Sequence, residues 1–168
     1  MKSIRIGLII FLCAGHFCFA SDPLEGYWLS IDDHSGQVTG GWEIYREGDQ
    51  LYGKLLSSAE QPNDALAVKC RESYKNFPIA GKVNQMQVIG TPWIFGLSSE
   101  TPGQWTGGNI IDPTNGTMYK CKLIFHAAGT GEFADDTLEM RGEIGFGIGR
   151  SQFWQKTVKE TAESLSCP

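Results

Sequence analysis

The 168-residue chain has little of what metal, nucleotide or nucleic-acid chemistry requires. Histidine occurs only at His16, His34 and His126, with no spacing that would gather a zinc site. A Gly-x-Ser-x-Gly elbow, a glycine-rich phosphate loop, an EF-hand loop and a Cys-x-x-Cys pair are all missing, so no cofactor or metal is expected and no catalytic motif is present. There is no block of lysines and arginines: 14 basic side chains face 19 acidic ones, for a net charge of −5. A partner held by phosphate neutralisation needs the opposite balance, so nucleic acid is not expected. Beyond the first 20 residues no apolar run approaches the length of a bilayer span, and no transmembrane segment is expected. Fixed-period repeats and low-complexity linkers are also missing, which leaves one domain.

The first 20 residues read as a leader. Lys2 and Arg5 precede the apolar run Ile6 to Leu12, and Cys18-Phe19-Ala20 stands before the polar Ser21, the pattern of a secretory signal peptide cut after Ala20. Neither Cys13 nor Cys18 follows the small-residue pattern of a lipoprotein signal. The expected organisation is therefore a leader over 1–20, a domain over 21–158 and a short peripheral tail over 159–168, with the protein exported to the periplasm or secreted. Removing Lys2 and Arg5 makes the remaining chain more acidic still.

What the chain has in quantity is glycine (21) beside 9 Phe, 5 Tyr and 5 Trp, a pairing that favours tightly turned β-structure over helix bundles. Short β-type runs end repeatedly in turn residues: 26–32, 37–46, 50–56, 86–97, 104–111, 117–126, 137–145 and 150–158. In Thr137 to Gly145, Leu138, Met140, Gly142 and Ile144 fall on one face and Glu139, Arg141 and Glu143 on the other. About eight such runs joined by short turns predict an all-β, antiparallel up-and-down barrel or a sandwich, and closure into a barrel removes the exposed edges. Ser57 to Asn76 fits neither period and is long for a connection, which marks a functional or disordered loop.

Without the leader three cysteines remain: Cys70, Cys121 and Cys167. An odd count in an exported protein implies one bridge. A Cys70–Cys121 disulfide is favoured because it would pin the long loop to a central strand; the rival pairs either one with Cys167. His34 and His126 read as solvated or capping residues, and the adjacent carboxylates Asp32-Asp33 and Asp135-Asp136 as turn residues. Asn115-Gly116-Thr117 matches a glycosylation sequon, but Asn-Gly is itself a hairpin signal.

Gly26-Tyr27-Trp28 opens the first run and Arg150 the last. Closure of a barrel would make these neighbours, with the Arg150 guanidinium across the Trp28 ring as a closing pair. The pattern resembles the calycin superfamily of lipocalins and fatty-acid-binding proteins. A denser set of residues is similar to the bacterial exported family catalogued as domain of unknown function 2147. It comprises Trp105-x-Gly107-Gly108-x-Ile110-x-Asp112-Pro113-x-x-Gly116-x-x-Tyr119-x-Cys121, Arg141-Gly142-x-x-Gly145, Gly149-Arg150-x-Gln152-x-Trp154 and, earlier, Gly26-Tyr27-Trp28, Glu43-Ile44-Tyr45, Leu51-Tyr52-Gly53-Lys54 and Lys75-x-x-Pro78-Ile79-x-Gly81. The resemblance implies a lipocalin-like barrel and no established activity. Where members often carry Cys-x-x-Cys before the segment that here reads Pro78-Ile79, this chain has Ala67 at the first position and Cys70 at the second, so no local bridge or metal clip forms; the stretch from Lys82 to Thr91 is longer than in relatives.

The leading expectation is a non-enzymatic binder of a small, mainly apolar molecule, with Trp28, Trp42, Trp93, Trp105, Tyr119, Met140 and Trp154 as candidate wall residues. The alternative is an envelope interaction or scaffold protein whose barrel is filled by these same side chains. An enzyme reading would rest on Asp112, Asn115 and Tyr119 near one mouth, against the plainer reading that Asp112 and Asn115 build a hairpin. The sequence leaves the oligomeric state open.

Overall fold

The computed structural model describes residues 21–145 and 147–167, so the expected leader lies outside the described residues. Eight antiparallel strands follow one another around a closed barrel: β1 (Gly26–Ile31), β2 (Val38–Glu47), β3 (Gln50–Ser58), β4 (Pro92–Thr101), β5 (Gln104–Asp112), β6 (Thr117–His126), β7 (Thr137–Gly145) and β8 (Ile148–Thr157). Each strand pairs with the next in sequence, and β8 closes on β1 through Tyr27↔Thr157, Trp28↔Lys156 and Leu29↔Gln155. The all-β up-and-down expectation is met. Alternation places one face of every strand inside: Trp28 and Ser30, Trp42 and Ile44, Leu51 and Leu55, Leu123, Leu138 and Met140, and Trp154 are all buried.

One end of the barrel is stoppered. The turn Asp22–Glu25 folds into it, with Leu24 fully buried and the Trp28 indole donating to the Leu24 carbonyl at 2.8 Å. Asp22 is the organising group. Its Oδ1 accepts the Leu24 amide, and its Oδ2 accepts both the Gly103 amide and the Trp105 indole, all at 3.0 Å. Lys156 completes the seal by donating from Nζ to the carbonyls of Pro23 (3.0 Å) and Glu25 (3.2 Å).

The expected Arg150–Trp28 closing pair does not form. Register puts Lys156 opposite Trp28, and its ammonium lies 4.4 Å from the ring centroid. Arg150 sits six residues earlier on β8, roughly 20 Å away at about 3.3 Å per residue, at the opposite end of the barrel.

The connection from β3 to β4 is longer than expected. Met86 to Gly90 belongs to it rather than to a strand: Gly90 has φ 85°, a 3-10 turn occupies Val83–Gln85, and Gln87 pairs only with Leu66 as an isolated bridge. The segment folds over the outer face of β4 and the tip of the β5–β6 hairpin, burying Ala67, Cys70, Val83 and Val88. Trp93, expected to line the interior, anchors this flap from the outer side of β4. Phe77 packs on it with centroids 6.1 Å apart, and its indole donates to the Val88 carbonyl at 2.8 Å. Tyr74 ties the flap to the hairpin by donating to the Gly116 carbonyl at 2.7 Å.

The Cys70–Cys121 disulfide is also corrected, since all three described cysteines are free. Cys70 packs on Gly116 at the hairpin tip, whereas Cys121 lies five residues further along β6, roughly 16 Å away. A bridge needs Cα atoms within about 7 Å. Burial pushes both the Cys70 and Cys121 thiols up.

The tail is less peripheral than expected. Residues Lys159–Ala162 form one helical turn, α1, whose Ala162 is fully buried against the barrel and accepts from Ser57 Oγ at 2.6 Å. Gly41 on β2 makes this possible, because any Cβ there would occupy the place of the Ala162 carbonyl.

Candidate functional site

The end opposite the stopper is open and holds a cavity of about 440 Å³. Its floor is aromatic. Trp42 stacks on Trp154 with centroids 5.0 Å apart and planes 28° from parallel, and the Trp42 indole donates to Ser30 Oγ at 3.2 Å, which fixes the ring. Met140 and Ile110 add apolar wall.

The polar residues of the mouth come from β5, β6 and β8. Gly142 faces Arg150 across the β7–β8 ladder, and Met140 faces Gln152. Because Gly142 has no side chain, the Tyr119 ring leans over it from β6, and a Cβ there would meet Tyr119 at 3.7 Å. Tyr119, Gln152 and Arg150 thus surround one open patch of backbone above the tryptophan floor.

Two of the residues on which an enzyme reading would rest are committed to local structure. Asp112 Oδ1 accepts the Thr114 amide (2.9 Å) and hydroxyl (2.7 Å), its Oδ2 accepts Asn115 Nδ2 (2.7 Å), and Asn115 Oδ1 accepts the Thr117 amide (2.8 Å). This is hairpin chemistry, as the turn sequence predicts. On the far side of the mouth, Arg150 pairs with Asp33, and Asp32 Oδ2 lies 3.8 Å from the same guanidinium nitrogen. The Ser35 amide and hydroxyl, donating to Asp32, hold its carboxyl below the usual range. Asp32, Asp33 and His34 bring ligand atoms within 4.8 Å of one another, but both carboxylates are already occupied by the turn and Arg150.

Of the expected wall residues, Trp42, Tyr119 and Met140 line the cavity and Trp154 supports its floor. Trp28 and Trp105 lie in the stoppered end, and Trp93 lies outside the barrel wall. Sequence reasoning missed Gln152 and the place of Arg150. The period-2 spacing Arg150-x-Gln152-x-Trp154 carried that information, since a buried Trp154 puts both on the inner face. His126, expected to be solvated or capping, is partly exposed. It contacts Glu139 Oε2 at 3.0 Å and stacks on Phe133 at 4.2 Å, on the outer wall and away from the cavity.

A closed eight-stranded antiparallel barrel with one stoppered and one open end is a lipocalin-like fold. A solved structure, protein HP1028 from the human pathogen Helicobacter pylori, described as belonging to the lipocalin family, matches with a TM-score of 0.64 at 13% identity, over 84% of this chain and 87% of that one. At that identity the likeness is one of fold. The chain belongs to the bacterial family described as "Uncharacterized protein conserved in bacteria (DUF2147)", whose profile matches residues 26–156. No curated protein sequence is significantly similar.

Proposed function

We propose that the protein is exported and binds one small, mainly apolar molecule in the open-end cavity. The observation that carries this reading is the Trp42 face: a fixed aromatic ring at the floor of a space of about 440 Å³, within the ~300–1,000 Å³ typical of small-molecule sites. The leader pattern ending at Ala20 supports export, and the stopper begins at Asp22, one residue beyond the Ser21 expected to start the cleaved chain.

Titration with the neutral probe N-phenyl-1-naphthylamine, read by its own emission and by tryptophan quenching, should saturate at one site per chain. Gly142→Leu should abolish this, because the new side chain projects into the cavity beside Tyr119. Saturable binding that survives Gly142→Leu places the probe elsewhere and refutes the cavity reading. Intact mass of the exported protein should start at Ser21; the uncleaved mass in that fraction would overturn export by cleavage. The densely filled stoppered half favours a second reading, an interaction protein of the envelope, which absence of any probe binding would support.

A further inference from the structure

The cavity's hydrogen-bonding groups are unevenly committed, and this indicates what kind of polar group its occupant carries. Among the described residues, the carboxylate and side-chain amide acceptors at the mouth are in use. Asp112 accepts three hydrogen bonds within its hairpin, Asp32 accepts the Ser35 amide at 2.8 Å and hydroxyl at 2.9 Å, and Asp33 receives Arg150. Gln152 Oε1 accepts the Trp154 indole at 3.3 Å.

The donors are not in use. The Tyr119 hydroxyl and the Gln152 Nε2 group make no hydrogen bond to protein among the described residues, and Arg150 spends only Nη2 on the aspartates. All three line the cavity around Gly142, where the missing side chain leaves room for a ligand atom against the sheet. A donor-rich seat wants an acceptor. Its charge decides which acceptor. The single guanidinium is already neutralised by Asp33, and Asp32 and Asp112 stand nearby, so an added carboxylate would meet net negative charge.

We propose that the occupant carries a neutral carbonyl-type acceptor, such as a ketone, ester or amide oxygen, seated over Gly142 between Tyr119 and Gln152, with its apolar body on the Trp42 ring. This rests on the cavity reading above and narrows it. At roughly 30 Å³ per heavy atom, a cavity of 440 Å³ admits on the order of 15 heavy atoms, so a ten-carbon chain with one head group fits.

The test compares 2-decanone, decanoic acid, decylamine and decane at pH 7.5, by tryptophan quenching of the whole purified protein. 2-Decanone should bind several-fold tighter than the other three. Tyr119→Phe and Gln152→Met should each weaken 2-decanone roughly three- to ten-fold, the worth of one neutral hydrogen bond, and leave decane unchanged. Asp33→Asn should free Arg150 and raise the affinity for decanoic acid at least about three-fold. Equal or tighter binding of the acid or the amine by the unaltered protein, or 2-decanone binding indifferent to both Tyr119→Phe and Gln152→Met, overturns the head-group assignment while decane binding keeps the cavity reading intact. If no member of the series binds, decane included, both fall together.

Discussion

Replacing Asp22 with alanine should cost the barrel its stoppered end. Three buried donors point at this carboxylate: the Leu24 and Gly103 amides and the Trp105 indole, each at 3.0 Å. Hydrogen bonds to a charged acceptor contribute about 1.5–3 kcal/mol each, but the alanine variant regains the solvation of the lost carboxylate and admits water beside Pro23. A net loss of about 3–4 kcal/mol follows. At roughly 2–4 °C per kcal/mol for a chain of this size, the melting temperature should fall by about 10 °C.

Asp22→Asn is the informative comparison. Its amide offers one carbonyl oxygen where the native side chain offers two, so it satisfies either Leu24 or the Gly103–Trp105 pair, and its loss should be about half as large. Thermal unfolding by circular dichroism gives the stability. Tryptophan emission gives the mechanism, because a wetted Trp105 should shift the spectrum to longer wavelength in Asp22→Ala. Melting within about 2 °C of the native protein, with unchanged emission, would refute the idea that this carboxylate organises the seal.

Native thiol labelling followed by peptide mass spectrometry should modify Cys167 alone, since Cys70 and Cys121 are only 6% and 3% exposed; an unlabelled Cys70–Cys121 peptide of disulfide mass would contradict the fold as described. Gly116→Ala should destabilise by about 2–3 kcal/mol, because it combines positive φ (74°) with a Cβ directed into the Lys69 carbonyl, whereas Gly48→Ala, with φ 62° and open space around it, should cost only about 1 kcal/mol. Burial opposes ionisation of Glu139, but hydrogen bonds from Ser151 and His126 outweigh it and hold the carboxyl below its ordinary 4.5. A depressed acid stabilises the fold above its unfolded value and loses that contribution as pH falls through the folded one, so Glu139→Gln should flatten the decline in melting temperature below about pH 4.5. An unchanged acid limb would show that Glu139 contributes nothing to it.

The strand plan was legible because it rests on local chemistry. Turn residues such as Asp112, Asn115 and Gly116 mark their own hairpin, and Leu138, Met140 and Gly142 mark their own inner face. What could not be read was anything decided by register between strands far apart in sequence. Whether Lys156 or Arg150 meets Trp28 depends on how far β8 slides along β1, a matter of residues with no local signature. The same holds for Trp93. Its alternation is right for a strand, but the side it faces follows from the register that turns Ile94 inward between Gly53 and Ile110, which leaves Trp93 outside, beneath Phe77. The cavity was legible only in part, since a tryptophan in a strand looks the same whether it fills space, as Trp105 does, or bounds it, as Trp42 does.

The pairing of β1 with β8 has a bearing on how the chain reaches its folded state. The seam that closes the barrel joins Leu29 to Gln155, residues near opposite ends of the sequence, so no shorter stretch contains a complete ring of strands. Such non-local closure is slow, because the loop entropy is lost before the last contacts reward it. A growing chain therefore stays open, with unpaired edges, until its final strand has been made. Were the chain threaded through a membrane before folding, as the export proposed above requires, that delay would keep it fit for transport, and the same topology that finally shuts the barrel would hold it unfinished until then.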